Sequence, residues 1–263
     1  MFFLKISFTL LLSYFLGSFF LHASDDAKPT AFFRLMFWGE QKIESLYYAP
    51  WGNFEESNAT QFSTSVRYGT LSEKCAYYGQ NDIILYRKLR PDTHRKEDSY
   101  EKISRISFVA QQGETKEFIV LISSPNQLGE YQCFQLPFTE NDVPWGSYKL
   151  FSQIRETLYI AAENKKFALK PGGNESIHSS EFQEEGRIRL KIYQKKEQKY
   201  KQVSSSSLAM NLKRRGVCLL TTMRKKIYLI PLIDDFIPLS KIVGYGCGPL
   251  VLAPESLANT AKQ

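Results

Sequence analysis

Along most of this chain apolar and polar residues alternate with a period of two. No long stretch repeats every three to four residues, so the pattern predicts strands rather than helices. The plainest run is Gly186-Arg187-Ile188-Arg189-Leu190-Lys191-Ile192-Tyr193. Successive side chains of a strand point to opposite faces, which puts Ile188, Leu190 and Ile192 on one side and Arg187, Arg189 and Lys191 on the other. Residues 102–108 alternate as cleanly, whereas 31–38 is apolar almost throughout and reads as a buried strand. Further strands are predicted over 43–48, 65–69, 74–78, 82–87, 117–122 and 130–136, then over 148–151, 158–161, 166–169, 199–204, 216–222 and 226–230. Three hairpins are expected: 102–108 with 117–122, 186–193 with 199–204, and 216–222 with 226–230 around Arg224-Lys225. Residues 92–99, which carry His94, and 174–180, which carry His178, read as loops.

Many short strands with closely spaced turn signals indicate an all-β chain of two consecutive β-sandwich-like modules. The first spans 24–141 and the second 142–234, opening at Val143-Pro144-Trp145-Gly146-Ser147. Residues 235–263 are expected to form a flexible tail. The halves echo one another loosely: Val66-Arg67-Tyr68-Gly69 and Val143-Pro144-Trp145-Gly146 each lead into a short strand, a turn and a strand of alternating Ile and basic residues. The shared identities are too few to establish a duplication.

The N-terminus changes the picture most. Lys5 is followed by an uncharged apolar run over 6–20 that closes on Leu21-His22-Ala23 before Ser24-Asp25-Asp26. A basic start, a short apolar stretch and a small residue at the cut make 1–23 a cleaved secretory signal peptide. The run falls short of the roughly 20 residues of a spanning helix. Export to the periplasm, cell surface or medium follows. Cleavage after residue 23 of 263 leaves 240 residues with no transmembrane segment.

Charge is uneven. Residues 24–144 hold 13 Lys/Arg against 17 Asp/Glu, and residues 145–234 hold 18 against 8. Such a swing predicts either two solvated faces that attract each other or a basic half that meets a polyanion. For the second case the candidate patch is Arg187, Arg189, Lys191, Lys195 and Lys196, extended by Lys199, Lys201 and Lys213-Arg214-Arg215 if the last hairpin lies alongside. An anionic lipid or polysaccharide is the partner it would suit, alongside an unknown envelope component.

Cys75, Cys133, Cys218 and Cys247 all lie in the exported part, where disulfides are permitted. Four thiols allow three pairings, of which the local Cys75–Cys133 and Cys218–Cys247 are preferred, with buried free thiols as the alternative. Catalytic, metal and cofactor signals are weak. After cleavage only His94 and His178 remain as bases, no C-x-x-C, G-x-S-x-G or H-E-x-x-H spacing occurs, and Glu55-Glu56, Glu184-Glu185 and Asp234-Asp235 are adjacent acids whose side chains point apart on a strand. No cofactor is expected. Trp38, Tyr47, Tyr48, Trp51 and Phe54 form an aromatic cluster suited either to core packing or to stacking on sugar rings.

Residues 100–108, 117–123, Val143 to Phe151 and 166–172 together resemble a group of exported, uncharacterised bacterial proteins with tandem β-modules, in which a Pro-x-Gly-Ser-Tyr turn introduces the second module. That resemblance implies architecture and export and attaches no activity. The expectation is therefore a non-enzymatic exported envelope protein acting as a binding or structural β-module. A sugar-binding or carbohydrate-active protein using the aromatic cluster and a polyanion binder using the basic half are the alternatives.

Overall fold

Strands that carry apolar residues on one face must pair that face with another sheet, and strands apolar on both faces must sit between two layers. Both kinds occur here, and together they make a stack of four sheets. The computed structural model describes residues 28–38, 46–52, 60–62, 69–79, 81–89, 100–111, 113–127, 130–182, 186–223 and 225–243. Among these there are sixteen strands and no α-helix.

The first eight strands are β1 (Ala31–Trp38), β2 (Leu46–Tyr48), β3 (Thr60–Phe62), β4 (Cys75–Tyr77), β5 (Asp82–Lys88), β6 (Tyr100–Ser107), β7 (Lys116–Pro125) and β8 (Tyr131–Pro137). They form an inner sheet in the order β4-β1-β7-β8 and an outer sheet in the order β3-β2-β5-β6. The other eight are β9 (Ser147–Ser152), β10 (Leu158–Ala162), β11 (Lys165–Leu169), β12 (Asn174–His178), β13 (Gly186–Lys196), β14 (Lys199–Met210), β15 (Arg214–Met223) and β16 (Lys226–Asp235). Their sheets run β12-β9-β15-β16 and β11-β10-β13-β14. Adding eight to each number of the first pair gives the second pair, so the two sandwiches have one topology. The pairing senses repeat as well: β1 with β7 and β9 with β15 are parallel, and the remaining pairs are antiparallel.

Three apolar layers fill the stack. Phe33, Leu35 and Phe37 of β1 and Val120 of β7 pack on Ile83, Leu85 and Ile106 of the first outer sheet. Leu150, Cys218 and Leu220 pack on Ile188, Leu190 and Ile192 of the second. Between the inner sheets lie Met36, Ile119 and Leu121 against Val217, Leu219, Ile230 and Leu232. The central layer explains why 31–38 and 216–222 read as apolar throughout: their odd and even positions enter different layers. Both modules belong to one compact unit, Pro29–Tyr245.

Four expectations are revised. The hairpin of 102–108 with 117–122 does not form, because β6 pairs with β5 in the outer sheet and β7 lies in the inner one. The physical reason is the two-sided apolarity of β7, which only a strand between two layers satisfies. Residues 174–178 are a strand, paired with β9, rather than loop. The repeat is framed differently from the Val66/Val143 echo, since β9 answers to β1 and residues 63–68 lie outside the described residues. Of the tail, 235–243 is placed against the first module. Val243 N–H donates to Lys74 O (2.9 Å), and Ala76 N–H donates to Val243 O (2.8 Å), extending the sheet edge at β4. Residues 244–263 lie outside the described residues.

The Cys75–Cys133 pairing is also revised. Cys75 and Cys133 are free thiols on the two edge strands of one four-stranded sheet. With strands about 4.8 Å apart, two intervening strands hold their backbones well beyond the span a disulfide bridges. Cys218 is a free thiol in the core of the second sandwich, and Cys247 lies outside the described residues.

Candidate functional site

Because the inner sheets cover each other, the outer face of each outer sheet is left to solvent. In the second module that face belongs to β11, β10, β13 and β14. Ile188, Leu190 and Ile192 are buried while Arg187, Arg189 and Lys191 are exposed, as the alternation predicts. These three cations, with Lys166 of β11, line an open groove of about 1010 Å³. Its floor is low because small residues stand beside the long ones: Lys191 pairs with Ala161 and Ser205, and Arg189 with Ser207. Glu163 and Glu181 also line it. Desolvation alone would raise the Glu181 carboxyl. Hydrogen bonds from Lys165 Nζ (2.9 Å) and the His178 N–H outweigh it and hold Glu181 below the usual carboxylate range. Among the described residues no carboxylate forms an ion pair with Arg187, Arg189, Lys191 or Lys166.

The groove continues into a second concavity of about 500 Å³ around Tyr159, Tyr193 and Tyr200, and the two share Ala161, Lys166 and Tyr193. Tyr159 and Tyr200 meet edge to face, with ring centroids 4.8 Å apart. Tyr193 opens a bulge, the pairing skipping Val203 between Ile192–Ser204 and Tyr193–Gln202. The first module holds the same arrangement. Its bulge falls between Leu85 and Tyr86, Tyr47 pairs with Tyr86 as Tyr159 pairs with Tyr193, and Tyr47 meets Tyr100 edge to face at 5.0 Å. In this frame Tyr100, Ser104 and Ser107 answer to Tyr200, Ser204 and Ser207.

The modules differ where charge is concerned. Asp82 answers to Arg189 and Ile84 to Lys191. Asp82 accepts hydrogen bonds from Arg105 and from Ser107 Oγ (2.6 Å), which draw its carboxyl down to about 2. The first module thus neutralises its charges across the strands, whereas the second sets Arg189 and Lys191 opposite serines. Exposure differs too: Tyr47 is buried where Tyr159 is half-buried, and Tyr100 is half-buried where Tyr200 is 57% exposed.

The remaining candidates scatter. Lys195 continues the outer-face alternation, but Lys196 has the opposite parity and lines a separate concavity of about 670 Å³ with Arg155, Lys201, Lys225 and Lys226. Arg214 and Arg215 do not extend the patch. Arg214 pairs with Asp235, and Arg215 is buried between the modules. There Arg215 reaches Glu117 (2.7 Å) and Asp234 (3.3 Å), with its guanidinium 4.4 Å from the Phe138 ring centroid and 4.6 Å from that of Trp145. Arg34 donates to the same Asp234 (2.5 Å). The N-terminal aromatic cluster is no surface platform: Tyr47 and Tyr48 are buried, Trp38 packs on the central layer, and Trp51 stacks on Tyr78. Phe54 and His94 lie outside the described residues. Among the described residues no cluster of three His, Cys, Asp or Glu side chains could hold a metal ion, and no helix is long and apolar enough to cross a membrane.

Sequence reasoning missed Lys166 and the tyrosines. One signal could have found the latter: Tyr-x-x-Ile-Ser-x-x-Ser at residue 100 recurs as Tyr-x-x-Val-Ser-x-x-Ser at residue 200. No protein-family model matches the chain, and no curated protein matches it.

Proposed function

We propose that this chain is an exported, non-catalytic binding protein that holds an anionic polymer against the outer sheet of its second module. The observation that carries the reading is the exchange, in one repeated frame, of a neutralised Asp82–Arg105–Ser107 set for Arg189 and Lys191 facing serines. A strand alternating cation and apolar residue repeats its charges about every 6.6 Å, which suits a ligand with regularly spaced anionic groups. The interface between the modules supports the same reading. One cation from each crosses to an acid of the other, Arg34 to Asp234 and Arg215 to Glu117, so the exchange leaves the excess charge of the second module for its outer faces. Export rests on residues 1–23, which lie outside the described residues. Mass spectrometry of the secreted protein is expected to find Ser24 at the N-terminus, and a retained Met1 would refute it.

The test of binding is elution from a sulfonated matrix against salt. Replacing Arg187, Arg189 and Lys191 together by Ser keeps the alternation and removes three charges. The triple variant is expected to elute at clearly lower salt and with a shallower salt dependence, because fewer counterions are displaced. Unchanged elution of a variant with native circular dichroism would overturn the proposal.

A further inference from the structure

The tyrosine concavity and the basic groove are one continuous surface, and we infer that their ligand is an acidic polysaccharide: a chain of sugar rings bearing carboxylate or sulfate groups. This inference rests on the polyanion reading and narrows it. From Arg187 to Tyr193 the face runs six residues along β13, or about 20 Å, long enough for several repeating units. One end is lined by ring and methyl groups of Tyr159, Ala168, Tyr193 and Tyr200, and the other by Arg187, Arg189 and Lys191.

Three features select a sugar over other polyanions. Tyr159 and Tyr200 stand edge to face, so they present one exposed ring and a wall of edges rather than a ladder of parallel faces for successive bases. Glu163 and Glu181 sit in the groove wall among the cations, where they disfavour an uninterrupted run of anions such as a nucleic-acid backbone but accept hydrogen bonds from the hydroxyl groups that space the charges of an acidic sugar chain. Ser207 and Asn164 supply further neutral partners for hydroxyls. A ligand with alternating anionic and hydroxyl groups satisfies all of these; a nucleic acid or a lipid surface satisfies only the cations. The first module acts as an internal reference. It keeps the three tyrosines but buries Tyr47 and pairs off its charge, so the rings alone are packing, and the site arises where they open beside cations that form no ion pair among the described residues.

Binding of the mature chain is measured to oligogalacturonate, to neutral dextran, to a single-stranded thymidine oligonucleotide and to phosphatidylglycerol vesicles. Oligogalacturonate is expected to bind tightest and dextran least. Tyr200→Ala is expected to weaken oligogalacturonate about tenfold with the salt slope unchanged, and Tyr200→Phe to restore most of it. Arg189→Gln with Lys191→Gln is expected to weaken both affinity and slope. If the charge variant alone has its effect and Tyr200→Ala binds like the wild type, or if the oligonucleotide or the vesicles bind tighter than oligogalacturonate, the polysaccharide inference falls and the polyanion reading stands. If the folded charge variant changes nothing, both fall.

Discussion

Replacing Arg215 by Met would leave Glu117 and Asp234 without the guanidinium that reaches both, in a place where Arg215 is 2% and Asp234 1% exposed. Removing one member of a buried ion pair typically costs about 3–5 kcal/mol when the partner is left uncompensated, and the low end applies here because Asp234 keeps Arg34 and Glu117 keeps Lys74. The R215M variant is therefore expected to lose about that much in urea denaturation, far more than any surface cation such as Lys195. The thiols give a second check at this scale. Burial pushes Cys75 and Cys218 well up, and Cys133 up despite its hydrogen bond with Ser104, so all three stay protonated at pH 8. Since the thiolate is the nucleophile, the fully buried pair should resist alkylation in the native protein and react once it is unfolded, with Cys133 reacting first. Rapid native labelling of Cys218 would contradict the core placement. Tyrosines set an alkaline limit. Burial raises the Tyr77 and Tyr148 hydroxyls to about 12, with help from Asp82 and from Cys218 respectively. The neutral form is favoured in the folded state, so stability is intact below the unfolded tyrosine value near 10 and is lost as pH rises from there towards 12. Late phenolate absorbance that coincides with loss of near-ultraviolet dichroism is the expected signature.

At the scale of elements, the last residues before 244 work as a strap. Truncation after Asp235 removes the two backbone bonds between Val243 and β4, the Tyr48 Oη bond to Val243 O, and the burial of Ile242. With each hydrogen bond contributing about 0.5–1.5 kcal/mol, the loss should be about 2–4 kcal/mol in chemical denaturation. A truncation without effect would mean the strap holds nothing. This strap was invisible in the sequence, where 235–243 lacks alternation, because its bonds are made by backbone to a partner some 170 residues away. Strands with one wet face were legible: β13 and β6 follow from Ile188-x-Leu190-x-Ile192 and its like, and the basic face with them, whereas β14, which lacks that alternation, was read only over 199–204 of Lys199–Met210. What sequence could not place was any strand apolar on both faces. The choice between β6 and β1 as neighbour of β7 depends on which layer β7 enters, and local pattern does not carry that information. Packing across the first core likewise decided that Tyr48 is interior, and in-sheet pairing decided that Tyr159, Tyr193 and Tyr200 meet, since these come from three neighbouring strands.

For the whole molecule, the central layer sets how the two sandwiches behave together. Met36, Ile119 and Leu121 face Val217, Leu219 and Leu232, and the layer is rimmed by the ion pairs of Arg34 with Asp234 and Arg215 with Glu117. Each module alone would expose one apolar face of its inner sheet and a set of unpaired charges, a state costly enough that neither should persist while the other is unfolded. The chain is thus expected to unfold in one transition, with calorimetric and van't Hoff enthalpies in agreement. Leu219→Asp places a carboxylate in the middle of that layer without touching either sandwich core, and it should split the transition in two, the modules melting separately. Two transitions in the unmodified protein would instead make the central layer a loose contact, and the outward-facing charge of the second module would then follow from the strand alternation of β13 alone.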